Sequence, residues 1–366
     1  MTAAPIDPRA APSIAEPTQL SDLTSASGST ERGPVASSGA TRTLGLLVAM
    51  VVLAVLVLVS IAVGSRGIAP LTVLHTLLGG TEESHVVWHL RVPRTVVGVC
   101  VGLALGVAGA LIQALTRNPL ADPGILGVTS GASFFIAIGV AALGVTSTSG
   151  QVWLAFAGAL VVTVAVYVVG SAGRGGADPV RLTLAGVALG AVLSGIVTAL
   201  ILLDPMTFNT MRSWNAGTLV ERGWDVLLPV LPFLLVGVVL AMVASGSLNA
   251  IALGDDLARS LGTNVVLTRV VVVTAVTLLA GGATAIAGPI AFVGLMVPHV
   301  ARWIVGPDQR WILAYTIVLA PALLLVSDIV GRVVDWPGEV PVGIVTAFVG
   351  APVLIVLVRR QRASGL

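Results

Sequence analysis

Few residues in this chain could do chemistry, and most of them lie in short polar stretches. "TEESHVVWHLR" (81–91) sets His85 and His89 one helical turn apart, with Glu82 and Glu83 just upstream. Such a face could hold a transition metal. However, two histidines with carboxylates on a free segment fall short of the ligand set of a stable zinc site, so no metal is expected. His299, in "VPHVAR", reads as structural rather than catalytic. Cys100 is the single cysteine; it excludes an intrachain disulfide and reads as a small packed hydrophobe. Neither His-Glu-x-x-His nor Gly-x-Ser-x-Gly occurs, so no zinc or serine hydrolase is supported. All 19 basic side chains are arginine. A phosphate-binding P-loop needs a lysine at the β/γ-phosphates, so any ATP hydrolysis belongs to another polypeptide. The chain is expected to bind no cofactor and to break no bond.

What remains is charge and shape. "LGDDLARSLG" (253–262) places Leu253, Leu257 and Leu261 at i, i+4 and i+8, with Asp255, Asp256 and Arg259 between them. That is the spacing of a small amphipathic helix. So short a helix is marginal alone in water and needs a surface on which to bury its leucines. "RNPLADPG" (117–124) gathers two prolines and a glycine into a sharp, rigid reversal. Arg91, Arg94 and Arg332 stand at the ends of apolar runs, where snorkelling to an interface is the plain reading.

The elements that position these residues are membrane spans. The chain is 56% hydrophobic and 10% charged, with a mean hydropathy of +1.03. Soluble domains carry about 25% charged residues, so this is an integral membrane protein. Residues 1–43, rich in Pro, Ala, Ser and Thr, read as a disordered tail. The first apolar run, 44–64, starts too far from the N-terminus for a secretory signal. It is long enough to cross ~30 Å of hydrocarbon at ~1.5 Å per residue. Further spans are predicted at 95–115, 125–145, 152–172, 182–203, 226–247, 265–284, 288–305, 311–330 and 341–358. "GGATAIAGP" (281–289) supplies the turn between the seventh and eighth. The glycine-rich stretches "GLALGVAGA" (102–110) and "GVALGAVLSG" (186–195) suit close helix packing. With the N-terminus inside, thirteen arginines fall on cytoplasmic segments and six outside, which supports both termini inside. An ion-coupled transporter would keep an ionisable residue at the bilayer midplane, whereas Asp204, Asp328 and Arg302 lie near span ends.

Longer ordered blocks carry a resemblance. Arg91, Pro93, Arg94, Gln113, Asn118, Pro119, Leu120, Ala121, Pro123 and Gly124 follow the order of a pattern found in the FecCD family, the permeases of ABC importers for iron–siderophores, haem and cobalamin. "AGPIAFVGLMVPHVARWIVGPDQR" (287–310), "LNAIALGDDLARSLG" (248–262), "LLLVSDIVGR" (323–332) and "EVPVGIVTAFVGAPVLIVLV" (339–358) are similar to further family blocks. The resemblance covers about residues 44–366. It implies an all-α, ten-helix permease of the type II importer architecture, working as a dimer with a second copy or a related permease. Two ATPase subunits, holding ATP and Mg, dock inside; an extracytoplasmic binding protein delivers substrate outside. The permease sits in the bacterial cytoplasmic membrane, among lipid, with no nucleic-acid partner.

The resemblance also implies site residues. Leu253, Gly254, Asp255, Asp256, Leu257, Ala258, Arg259, Leu261 and Gly262 match the segment that docks on the ATPase. Arg91, Arg94 and Arg332 match arginines that face acidic residues of the binding protein, an exposed and therefore salt-sensitive ring. Gly176, Ala177, Asp178 and Pro179 fall in the cytoplasmic gate loop. Segment 205–225, with Trp214 and Trp224 suited to the interface, corresponds to short helices near the pore mouth. A ferric siderophore is the default substrate, with haem and cobalamin behind it.

Overall fold

A computed structural model describes residues 39–64, 67–80, 83–172 and 179–363. Among them the regular structure is all helical. α1 (Gly39–Ala62) and α2 (Pro70–Leu77) are followed by a π-helical turn (Val86–Arg91) that runs directly into α3 (Val92–Thr116). A 3-10 turn (Pro123–Leu126) leads to α4 (Val128–Leu143), α5 (Thr148–Ser171), α6 (Pro179–Leu203), α7 (Pro205–Asn215) and α8 (Trp224–Ala252). The six-residue α9 (Asp255–Ser260) precedes α10 (Val265–Ala287), α11 (Val293–Val305), α12 (Gln309–Val334) and α13 (Val342–Ala363).

Seven of these helices, counting the π-turn with α3, are long and apolar enough to cross a membrane. Three shorter apolar helices, Val128–Leu143, Val293–Val305 and Val342–Val356, complete the series. Together they occupy the ten predicted spans in order. Side chains of Ser147, Asp204, Asn264 and Asp308 accept hydrogen bonds from the first-turn N–H groups of α5, α7, α10 and α12. Each cap satisfies a donor the helix cannot, and so marks where the helix starts. At Asp204 the Thr207 hydroxyl and backbone N–H bonds hold the carboxyl below its usual range.

Several boundaries differ from expectation by up to five residues, α8 and α13 running on to Ala252 and Ala363, and two of the differences are informative. α1 begins at Gly39, so residues 39–43 of the predicted tail are helical. α10 runs on to Ala287, so most of "GGATAIAGP" is helix and the reversal lies at 288–292. Gly281 and Gly282 do not break the helix because they are contact points: they face Ala159 and Leu234. The left-handed positions fall instead at Gly288 and Phe292.

α3 is the centre of the bundle. The apolar windows of α3 and α10 are 78% buried, against 11% for α1 and 22% for α6. Small residues explain the burial. A side chain on Gly102 would press on the backbone at Pro321, and one on Gly106 on Ala320 and Thr316, all in α12. A Cβ on Gly109 would overlap the Gly294 carbonyl of α11. Gly186 of α6 lies equally close to the Ile125 carbonyl. By contrast, Gly195 of the second glycine-rich stretch faces open space. Gly109→Leu is therefore expected to cost at least the ~1–3 kcal/mol typical of overpacking, because the obstacle is backbone. Gly195→Leu is expected to be neutral. Thermal unfolding in detergent, followed by size-exclusion chromatography, compares the two; equal behaviour would refute this packing account.

Candidate functional site

At one end of the bundle, α9 projects a polar and apolar surface. Leu253, Leu257 and Leu261 are all exposed, at 62%, 49% and 61%. The helix itself is shorter than the leucine spacing predicts: Leu253 caps α8 and Leu261 caps α9, leaving Leu257 alone within it. Gly254 and Gly262, both at positive φ, set its two ends. Two residues of the predicted docking set face inward instead. Ala258 is fully buried, in a cluster with Ile251 and Val265, because it is the point at which α9 rests on α8 and α10. Asp255 is held between Arg117 and Arg269, the latter at 2.6 Å. Asp256 and Arg259 form an exposed pair at 2.8 Å, of the kind that contributes little.

At the opposite ends of α3 and α12, the three singled-out arginines are not exposed. Arg91 and Arg332 are 6% and 2% accessible, and the side chain of Arg94 is 14% accessible. Helix α1 ends here, and a helix leaves its last carbonyls without intrahelical donors. Arg91 Nη1 donates to the carbonyls of Ile61 and Ala62 at 3.0 and 2.7 Å. Arg332 Nη1 donates to those of Ser60 and Val63 at 2.7 and 2.8 Å. Two cations thus sit on the negative end of the α1 dipole. Arg332 also pairs with Asp328, one turn earlier on α12. Arg94 bridges Asp328 at 2.7 Å and Glu339 at 2.6 Å. The exposed ring expected from sequence is therefore corrected to an internal clamp joining α1, α3, α12 and the segment before α13. These side chains point inward because the carbonyls and carboxylates they satisfy are buried.

Between these two ends lies a cavity of about 640 Å³. The "RNPLADPG" turn forms part of its wall. Arg117 takes a left-handed conformation that stops α3. Asn118 accepts a hydrogen bond from the Leu120 N–H at 2.9 Å and, through its carbonyl, one from the Ala121 N–H at 3.1 Å. Pro119 and the exposed Leu120 lie on the outer side of the turn, while Ala121 is buried. Asp122 then accepts from Gly124 N–H at 2.8 Å and starts the 3-10 turn, so Asp122, Pro123 and Gly124 line the cavity. Burial pushes the Asp122 carboxyl up, against the opposing effect of that hydrogen bond. It is the one ionisable side chain among the described lining residues. Asn215 and Ala216 after α7, Phe292 before α11, and Gly343 and Phe348 of α13 complete the wall.

Of the predicted gate loop, Pro179 opens α6, and Gly176, Ala177 and Asp178 lie outside the described residues. Segment 205–225 contains the short helix α7, and Asn215 and Ala216 at its end line the cavity. Trp214 is 4% exposed and belongs to the core, not to an interface; Trp224 is 40% exposed. His85 and His89 stack with ring centroids 4.9 Å apart. Sequence reasoning missed Asp122, Ser60 and Glu339. Asp328 and Arg332, at i and i+4, carried a readable pairing signal.

The model of the FecCD transport family matches residues 52–360. The chain is 48% identical over 335 residues to the ferric enterobactin transport system permease protein FepD of Escherichia coli, covering 91% of this chain and 99% of that one. It is 40% identical over 285 residues to a probable siderophore transport system permease protein of Bacillus subtilis, covering 78% and 86%. A solved structure of an inward-facing metal-chelate type ABC transporter superposes with a TM-score of 0.76 at 26% identity, covering 87% of this chain and 99% of that one.

The clamp gives a direct expectation. Asp328→Ala leaves Arg94 and Arg332 without a shared buried carboxylate, a change that typically costs about 3–5 kcal/mol. The loss should appear as a lowered unfolding temperature in detergent and persist at high salt, because the site is shielded from ions. A stable variant defective only in capturing a binding protein would restore the exposed-ring reading.

Proposed function

Because the chain belongs to the FecCD transport family, we propose that it is the membrane-spanning permease subunit of an ATP-driven importer that passes a ferric siderophore into the cell. The carrying observation is a continuous link from an exposed docking helix to the cavity wall. α9 presents Leu253, Leu257 and Leu261 to a groove on a separate ATPase, the mode in which an amphipathic helix lays its apolar side into a partner. Asp255 fastens α9 to Arg117 and Arg269, and Arg117 Nε also donates to the Ile251 carbonyl at 2.8 Å. Arg117 begins the turn whose Asp122, Pro123 and Gly124 line the cavity. A displacement of α9 on ATP binding therefore reaches the cavity through one turn of chain, which suits alternating access.

The end bearing α9 is assigned to the cytoplasm by the arginine distribution, with both termini inside. Phe348 lines the cavity yet is 79% exposed, so the cavity opens at the side of the bundle beside α13. A second permease copy closes it there, placing the pore between the two. On the other face a substrate-binding protein docks on the surface that the arginine clamp holds in place. The siderophore assignment rests on the names of the relatives. The cavity suits it as a passage: one carboxylate and no cation among its described lining residues would not trap an anionic chelate. Acidic and basic side chains on the described long helices lie towards their ends, which disfavours ion-coupled transport.

Uptake of radiolabelled iron on several siderophores, with labelled cobalamin in parallel, tests the substrate in a strain deleted for this gene and complemented with the intact chain. Rescue of cobalamin uptake alone would overturn the siderophore assignment. Leu257→Glu should abolish co-purification of the ATPase while the permease remains inserted. Asp255→Asn should retain the ATPase, yet lower uptake at least about tenfold, the equivalent of ~1.4 kcal/mol in coupling. Full uptake by Asp255→Asn would remove the link from α9 to the cavity.

A further inference from the structure

A second pocket, of about 290 Å³, lies at the α9 end of the bundle, between the inner ends of α3, α8 and α11 and the start of α12. Its polar walls are Gln113, Arg117, His299, Arg302 and Gln309, and Trp303 forms an apolar side. Among the described residues no acidic side chain lines it. Three polar atoms here are buried with no partner among the described residues: both ring nitrogens of His299 and Oε1 of Gln113. His299 is only 4% exposed, with its ring edge-on to Trp303 at 5.1 Å. Gln113 spends its amide on the Gly294 and Leu295 carbonyls, which leaves the oxygen as a free acceptor. Among the described residues Arg302 has neither an ion pair nor a hydrogen-bond acceptor, unlike Arg94, Arg117, Arg269 and Arg332. A folded protein rarely leaves so many buried polar groups unmatched in one place unless something outside the chain matches them.

We propose that this pocket binds the headgroup of an anionic glycerophospholipid carrying a hydroxyl, of the phosphatidylglycerol class. The phosphate meets the Arg302 guanidinium and an N–H of His299, a charge-assisted contact of the kind arginine favours. The headgroup hydroxyl donates to Gln113 Oε1, an acceptor that a bare anion could not satisfy. Trp303 and Ile304, 52% and 47% exposed, continue from the pocket onto the outer surface of α11, where an acyl chain would lie and where an indole suits the membrane interface. Basic pockets between spans recognise anionic headgroups in this way. The proposal does not depend on which chelate is transported. Because Gln113 and Arg117 also lead to the cavity turn and α9, a bound lipid would brace the same region.

The test is native mass spectrometry of the full chain, released from detergent with equimolar phosphatidylglycerol and phosphatidylcholine of identical acyl chains. Both lipids offer a phosphate, but phosphatidylcholine brings a trimethylammonium against Arg117 and Arg302 and no hydroxyl for Gln113. The intact chain should therefore retain one phosphatidylglycerol at about tenfold preference, the equivalent of one ordinary hydrogen bond. Arg302→Gln should abolish retention of the lipid and Arg302→Lys should keep part of it. Arg310→Gln, which removes an exposed charge at the same end but outside the pocket, should change nothing. Loss of the retained lipid in Arg310→Gln as well, or its persistence in Arg302→Gln, would overturn the site. Displacement of the lipid by millimolar inorganic phosphate would identify a free-phosphate site instead. Displacement on adding the ATPase would mean that an acidic side chain of that subunit is the true occupant, and either result rejects the lipid.

Discussion

A helix that ends at the edge of a membrane must find donors for its last carbonyls, because hydrocarbon offers none. In this protein that constraint falls on α1, the span with the least buried surface. Packing alone holds it weakly. Its last carbonyls, from Ser60 to Val63, instead receive two guanidiniums, Arg91 from before α3 and Arg332 from the end of α12. The Ser60 hydroxyl adds a 2.9 Å hydrogen bond to that of Thr95. Asp328 and Glu339 balance the imported charge and draw in Arg94. Breaking any one member leaves a buried charge or carbonyl without a partner, so the group acts as a unit.

α3 connects this clamp to the other end of the molecule. Arg94 lies in its first turn, and Arg117, immediately after its last, holds Asp255 of α9. Between them Gly102, Gly106 and Gly109 set the backbone directly against α11 and α12, leaving no soft side-chain layer to absorb movement. A strain applied at α9 therefore has two outlets. It can move the short turn that walls the cavity, or it can move a shaft anchored by buried ion pairs. The turn, outside the membrane helices and partly exposed at Leu120, is the easier of the two.

The ten spans were legible because each is a run of apolar residues of sufficient length, and α9 because leucines at helical spacing recur within a charged interruption. Whether an arginine faces inward was not legible. Arg332 meets the Ser60 carbonyl across 272 positions of chain, a relation that no local pattern encodes. The same holds for Asp255 and Ala258, whose neighbours come from α3, α8 and α10. The misplaced turn near 281–289 has a related cause. In a membrane helix glycine serves packing as readily as breaking, and only the facing residues, here Ala159 and Leu234, decide which. Trp214 was assigned to an interface on residue type alone, whereas the fold buries it in the core.

The absence of lysine from the chain acquires a structural meaning at the clamp. Arg332 uses one terminal nitrogen for two backbone carbonyls and the other for a carboxylate and a hydroxyl, four acceptors spread around a planar fork. An ammonium has three donors on a single atom and a stronger hold on its hydration shell. It could cap the helix or pair with Asp328, but it could not span both in this geometry. Arg94 makes the same use of its plane, one terminal nitrogen to each of two carboxylates. A lysine at either position would keep the charge and lose the bridge, so the network depends on the shape of the cation as much as on its sign.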